Sequence, residues 1–224
     1  MDFFSLGWKA AAVNLSDIAA MGGIPRYCLT ALGIPAGISV EQVAEFYRGF
    51  NALLKNYATA LVGGDTCSSR KGLFISVTAL GEVEPKRIIT RTGAEPGDRI
   101  FVTGTLGDSA AGLELLRIRN VPCIRASTVL RPIVVPSRGE SRDGNQGPHK
   151  RRAQAECGMR NKRSTTRNPQ SAIEKLIAHH LRPVPRVEWG RKLALSGCAS
   201  AMIDLSDGLS SDLFHICEQS GVGA

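Results

Sequence analysis

Aromatic side chains are scarce in this chain, at 5%, and no apolar run approaches the roughly 20 residues a membrane helix needs. A membrane span is therefore not expected. No Cys-x-x-C pair occurs among Cys28, Cys67, Cys123, Cys157, Cys198 and Cys217. That argues against a zinc site or a disulfide scaffold and fits a reducing cytoplasm. The start, Met1-Asp2-Phe3-Phe4-Ser5, lacks the basic region of a secretory signal. The pattern Gly-x-x-x-x-Gly-Lys-Ser/Thr is also missing, which excludes a Walker-type phosphate cradle. Neither a Ser-His-Asp arrangement nor a kinase catalytic loop can be read.

What is present begins with charge. The net charge is +8, a value that suggests nucleic acid until its distribution is read. Between Ser137 and Asn168 nine basic residues stand against three acidic ones, giving +6 and leaving +2 for the rest of the chain. The basicity belongs to one segment. From residue 121 to 170, Pro, Gly, Ser, Arg and Asn dominate and no amphipathic period persists, so this stretch is predicted to be a disordered insertion. Leu130-Arg131-Pro132 and Leu181-Arg182-Pro183 bracket it. A basic segment without aromatics can bind phosphate non-specifically, but disorder is the plainer reading and no nucleic-acid partner is expected.

The remaining pattern alternates helix and strand. A helix is predicted from Leu6 to Met21, ending at Gly22-Gly23. A strand follows from Tyr27 to Ile34. Ser39 should cap a helix over Val40 to Tyr57, with Val43, Phe46, Phe50, Leu53 and Leu54 on one face. Strands are predicted before Gly63, at Leu73 to Val83, at Arg99 to Thr103 and at Ser200 to Ile203. Helices are predicted at Ser109 to Arg119 with Asp108 as cap, from Ala172 to His179-His180, at Val187 to Leu195 and from Leu209 to about Gln219. The paired histidines read as a helix C-terminus rather than a metal site.

The chemistry centres on aspartates. Ala60 to Thr66 reads as a buried strand that stops at Gly63-Gly64 and displays Asp65 and Thr66 in a turn. Glycines there let a backbone approach a ligand closely, and a carboxylate at a strand end can hold a hard cation. Leu-Ser-Asp occurs twice, at Leu15-Ser16-Asp17 and Leu205-Ser206-Asp207, and Asp204 and Asp207 are close enough in sequence to reach one ion or two neighbouring ions. Carboxylates gathered from several elements repel unless cations lie between them. Mg²⁺ takes one or two carboxylates and bridges to phosphates, as phosphoryl transfer requires. Taken singly, each aspartate has a plainer reading: Asp204 or Asp207 caps a helix, Asp17 is solvated, and Asp65 sits in a turn.

Together the motifs carry a resemblance. They are Gly7-Trp8-Lys9-Ala10 with Asn14 to Gly22, Val62-Gly63-Gly64-Asp65-Thr66, and Arg91-Thr92-Gly93-Ala94-Glu95-Pro96-Gly97-Asp98. Val102 to Leu113, Leu181-Arg182-Pro183-Val184-Pro185-Arg186 and Ile203-Asp204-Leu205-Ser206-Asp207-Gly208 complete the set. In this order they resemble the thiamine-monophosphate kinase family, more than the aminoimidazole ribonucleotide, selenophosphate or hydrogenase-maturation synthetases. The match runs from Leu6 to about Arg119 and from Ala172 to Ala224.

The resemblance implies an α/β (α+β) fold of two domains, like the aminoimidazole ribonucleotide synthetase-like superfamily. Residues 1–84 would be the N-terminal ATP- and Mg-binding domain without its first strands. Residues 95–224 would be an incomplete C-terminal domain, so both ends are expected to be truncated. The N-terminal sheet would build a barrel in a homodimer. The implied activity is ATP-dependent phosphorylation of thiamine monophosphate to thiamine diphosphate, by direct in-line transfer with several Mg²⁺ ions and no side chain as acid or base. By similarity Asp17, Asp65, Asp204 and Asp207 would be metal ligands. Tyr47, Gly64, Asp65, Arg91 and Ser206 would contact ATP. The alternatives are another ATP-using synthetase of the same superfamily and a catalytically impaired nucleotide-binding fragment.

Overall fold

The computed structural model describes residues 1–120 and 169–223. Their elements run α1 (Phe3–Ala20), β1 (Ile24–Pro35), α2 (Val40–Asn56), β2 (Ala60–Ser69), β3 (Phe74–Glu82), α3 (Asp108–Asn120), α4 (Pro169–Leu181), α5 (Val187–Ser196) and α6 (Leu209–Ser220). The stretch expected to be disordered, and with it the RNA-contacting reading of Ser137 to Asn168, lies outside the described residues apart from the first positions of α4.

Each of the first two helices opens on a side-chain cap. Asp2 accepts from the Ser5 amide at 2.7 Å, satisfying one of the orphan donors at the start of α1. Ser39 and Gln42 exchange hydrogen bonds with each other's backbone in a capping box. The helices then cross without intervening side chains. A Cβ on Gly7 would collide with the Phe46 carbonyl, and one on Gly49 with that of Phe4. This contact lets Ala11, Ala12 and Leu15 of α1 meet Phe46, Phe50, Leu53 and Leu54 of α2 over Cys28 and Leu32 of β1. Each large apolar side chain fully buried there contributes roughly 1.5–3 kcal/mol.

β1 is the middle strand of a three-stranded sheet, ordered β2-β1-β3 among the described residues. It pairs parallel with β2, for which α2 is the crossover, and antiparallel with β3. The pleat sorts its residues. Cys28, Thr30 and Leu32 are buried under the helices, while Tyr27 and Leu29 face away and are exposed. Leu80, opposite Tyr27, and Phe74, opposite Gly33, are exposed as well. The outer face of the sheet is thus apolar and is left uncovered by the described residues.

The link after α4 is held by side chains of the first two helices. The Trp8 indole N–H donates to the Pro183 carbonyl at 2.9 Å, and the Tyr57 hydroxyl donates to that of Pro185 at 2.9 Å. Arg182 donates to the buried Ser5 hydroxyl at 3.0 Å. The prolines keep this segment out of helix and ladder, and its carbonyls are satisfied by Trp8 of α1 and by Tyr57, the residue that caps α2. α5 then lies against the end of α1, where a Cβ on Gly190 would collide with the Ala19 carbonyl.

Four expectations need correction. Gly63, Gly64 and Asp65 do not form a turn beyond a strand; they lie inside β2, which continues to Ser69. Pairing with β1 continues through them, after a register shift between Cys28 and Leu29 that passes Val62 by. Arg99 to Thr103 forms no strand, and Phe101 is 83% exposed. Ser200 to Ile203 forms none either, and its ladder is reduced to a single bond from the Met202 amide to the Thr90 carbonyl at 3.0 Å. Strand propensity needs a paired neighbour to become a strand, and neither stretch has one among the described residues. Asp108 is the first residue of α3 rather than its cap, and its carboxylate accepts from Thr105 at 2.6 Å and pairs with His179 at 2.8 Å.

Candidate active site

The residues singled out from the sequence fall into two groups. The first is an open hollow along β2, lined by Tyr47 of α2 and by Leu61, Val62, Gly63, Gly64, Asp65 and Thr66. It brings together three positions expected to contact ATP: Tyr47, Gly64 and Asp65. The absence of a side chain at Gly64 is dictated by β1, because a Cβ there would collide with the Thr30 carbonyl. The Asp65 carboxylate accepts from the Thr66 amide at 2.8 Å and is exposed. Beside Gly64 on β1, Thr30 is 1% exposed and its hydroxyl has no hydrogen-bond partner among the described residues.

The second group forms where the end of α1 meets the loop before α6. The Ile89 amide donates to the Met21 carbonyl at 3.2 Å, and the next residue, Thr90, accepts from Met202. The Ser220 hydroxyl, at the far end of α6, donates to the Arg91 carbonyl at 3.2 Å and accepts from the Ala94 amide. Residues 89–94 therefore tie α1 to both ends of the segment that carries Asp204, Ser206 and Asp207. Arg91 is exposed beside this tie. The Asp98 carboxyl anchors the same junction: Ser200 donates to it at 2.5 Å and holds it below the ordinary carboxylate range.

Across that junction the Asp17 and Asp204 side chains face each other. Burial pushes the Asp204 carboxyl up, and the neighbouring Asp17 and Asp212 carboxyls add to the effect. Ser206 and Asp207 follow in the same loop with exposed side chains. No three His, Cys, Asp or Glu side chains gather in an ion-holding group among the described residues. Asp65 and Asp207 thus do not join Asp17 and Asp204 in one cluster.

Two residues of these sites escaped the sequence reading. Asp212 is 2% exposed and accepts from the amides of Ser206, Asp207 and Gly208. Its only sequence signal is an acid in the first turn of a helix that follows Gly208, which is also the signal of an ordinary dipole partner. Thr30 carried no signal at all, since a threonine is a normal strand residue. The paired histidines stand apart, in the last turn of α4. His180 lies 3.1 Å from the Ser109 hydroxyl and 3.5 Å from the Lys9 ammonium.

A helix pair over a β2-β1-β3 sheet, with aspartates at its edge and at the end of its first helix, defines a class. Residues 1–83 match the family described as AIR synthase related protein, N-terminal domain, and the fold is of the AIR synthase-like kind. Within that class the chain is similar to thiamine-monophosphate kinases over nearly its whole length. It is 36% identical to the thiamine-monophosphate kinase of Bacillus subtilis across 97% of this chain and 53% of the relative. The crystal structure of thiamine-monophosphate kinase from Stenotrophomonas maltophilia is 35% identical, with a TM-score of 0.71, covering 99% of this chain and 55% of that one. A structure described as AaThiL complexed with AMPPCP and TMP is 32% identical with the same TM-score of 0.71, covering 99% and 55%. The chain spans about half the length of the curated relatives it matches.

Proposed function

We propose that this chain carries the nucleotide- and cation-handling part of a thiamine-monophosphate kinase, which moves a phosphoryl group from ATP to thiamine monophosphate. The observation that carries the reading is the facing of Asp17 and Asp204, two carboxyls from distant elements with burial and repulsion between them. Such a pair suits a hard cation that keeps its other places for water and phosphate oxygen. In this proposal Asp17 and Asp204 hold Mg²⁺, while Asp65 on β2 and Asp207 in the Asp204 loop would serve further ions. When bound, Mg²⁺ would neutralise charge on the phosphates.

The chain's own residues would do the rest by position. Tyr47, Gly64 and Asp65 line the hollow that would take ATP. Ser206, in the Asp204 loop, and Arg91, in the 89–94 tie, would supply a hydroxyl and a guanidinium to hold phosphate oxygens. Transfer would be in line and direct, with no side chain acting as acid or base. The proposal further takes 1–84 and 95–224 as two domains of a cytoplasmic enzyme. The exposed apolar face of Tyr27, Leu29, Phe74 and Leu80 would meet a second copy.

A second reading, a catalytically silent nucleotide-binding piece, is favoured by the separation of the expected ligands, since no ion-holding group of three such side chains forms among the described residues. One experiment separates the two. Purified chain is incubated with Mg²⁺, ATP and thiamine monophosphate, and the thiamine species are resolved. Thiamine diphosphate that disappears with Asp65→Ala supports the kinase. Nucleotide binding without product supports the silent piece.

A further inference from the structure

The loop before α6 turns its backbone inward and its side chains outward. The amides of Ser206, Asp207 and Gly208 donate to the same Asp212 oxygen, Oδ2, at 3.0, 3.3 and 3.1 Å. Successive amides around one point make the concavity that binds anions in proteins. Here its occupant is the chain's own carboxylate, buried at 2% exposure. The side chains of Ser206 and Asp207 remain exposed.

Ordinary helix capping does not account for this geometry. An N-cap side chain serves amides inside the first turn, and in a capping box an N3 side chain returns only to the N-cap amide, as Gln42 does to Ser39. The N-cap of α6 is Gly208, which has no side chain to offer. Asp212 lies one turn into the helix, with its amide bonded to the Gly208 carbonyl at 3.0 Å. Its carboxylate reaches backwards, past the helix start, to Ser206 and Asp207. What it fixes is the loop. A second carboxylate this close to Asp204 is also an electrostatic burden, tolerable because three donors compensate it.

We propose that Asp212 is a positioning residue. It occupies the three loop amides, so that the loop can meet a magnesium nucleotide only through the side chains of Asp204, Ser206 and Asp207, held in fixed register opposite Asp17. The ligand half of this proposal rests on the kinase reading above; the anchoring half does not.

The test uses the full chain, isotope-labelled, as wild type, Asp212→Ala and Asp212→Asn. Amide exchange is followed without ligand, and Mg²⁺ with a non-hydrolysable ATP analogue is then titrated. Asp212→Ala should speed exchange at Ser206, Asp207 and Gly208 by about tenfold or more while the rest of α6 is unchanged, and weaken the analogue by about tenfold. Asp212→Asn keeps a carbonyl acceptor and should recover most of both. Should the alanine chain not fold, Asp212→Glu, which keeps the charge but displaces it, takes its place with the same expectation. Wild-type exchange at all three amides in the alanine chain, or loss spread along α6, overturns the anchoring. Unchanged analogue affinity with fast loop exchange overturns the ligand half. A wild-type chain that does not bind the analogue overturns the kinase reading, while the exchange data still decide the anchoring.

Discussion

Asp17, one turn before the end of α1, faces Asp204, in the loop that precedes α6, and the Asp204 carboxyl is drawn up by burial and by this neighbour. Two elements far apart in sequence are brought edge to edge by the tie through Met21, Ile89, Thr90 and Met202. The pair is costly in a chain without a cation and useful in one that holds it.

That cost has a sign. A carboxyl raised in the folded state stabilises the fold below its ordinary value near 3.8 and loses that contribution as pH rises through the raised value. At neutral pH the charged Asp204 is therefore a net penalty. Asp204→Asn should stabilise the chain in a chelator by about 0.5 kcal/mol, a modest figure because solvent screens the site. Mg²⁺ should raise the thermal midpoint of the wild type and leave that of the variant where it is. Equal midpoints for both chains, with and without Mg²⁺, would refute the pairing as a cation site.

Thr30→Val should stabilise the protein. The hydroxyl is buried and unpartnered, and valine keeps the branched shape while removing the unmet polar atom. A gain of about 1 kcal/mol is expected in urea unfolding. A loss of stability would mean that the hydroxyl is satisfied in solution.

Gly64→Ala should act oppositely. Its Cβ would collide with the Thr30 carbonyl, a backbone atom with no rotamer to change, so β2 must part from β1. The cost should be about 2–3 kcal/mol, with faster exchange of the β2 amides paired to Leu29 through Leu32. A chain of wild-type stability would contradict the close approach.

His180 makes the junction of α1, α3 and α4 sensitive to pH. Burial lowers its value, and the cations Lys9 of α1 and Arg117 of α3 lower it further, while Ser109 opposes them. Its contribution is present above about pH 6.5 and is lost as pH falls through the lowered folded value. Wild-type stability should therefore drop between pH 7 and 5 more steeply than that of His180→Gln. Parallel profiles would show that this histidine does not report on the junction.

The helices were legible in the sequence because their signals are local. Ser39 and Gln42 announce the capping box, and the spacing of Phe46, Phe50, Leu53 and Leu54 gives the buried face of α2. Partner-dependent features were not. Arg99 to Thr103 has strand residues but no ladder among the described residues, and Gly64 of β2 reads as a turn because its reason lies in Thr30 on another strand. The eight expected site residues fall in two places: Tyr47, Gly64 and Asp65 line the hollow, and Asp17, Arg91, Asp204, Ser206 and Asp207 lie at the junction. Asp212 was invisible, since the amides it serves were not known to be turned towards it.

Three of the contacts that seat α1 are made by peptide groups. Gly7 meets Phe46, Gly49 meets Phe4 and Gly190 meets Ala19, each with no room for even one methyl group between the chains. Such a joint has no clearance, so its dimensions do not change when leucine becomes isoleucine or valine in the core around it. Core side chains can drift over evolutionary time while Asp17 keeps its station opposite Asp204. A mutation at any of the three glycines would move that station at once, however far from it the change occurs.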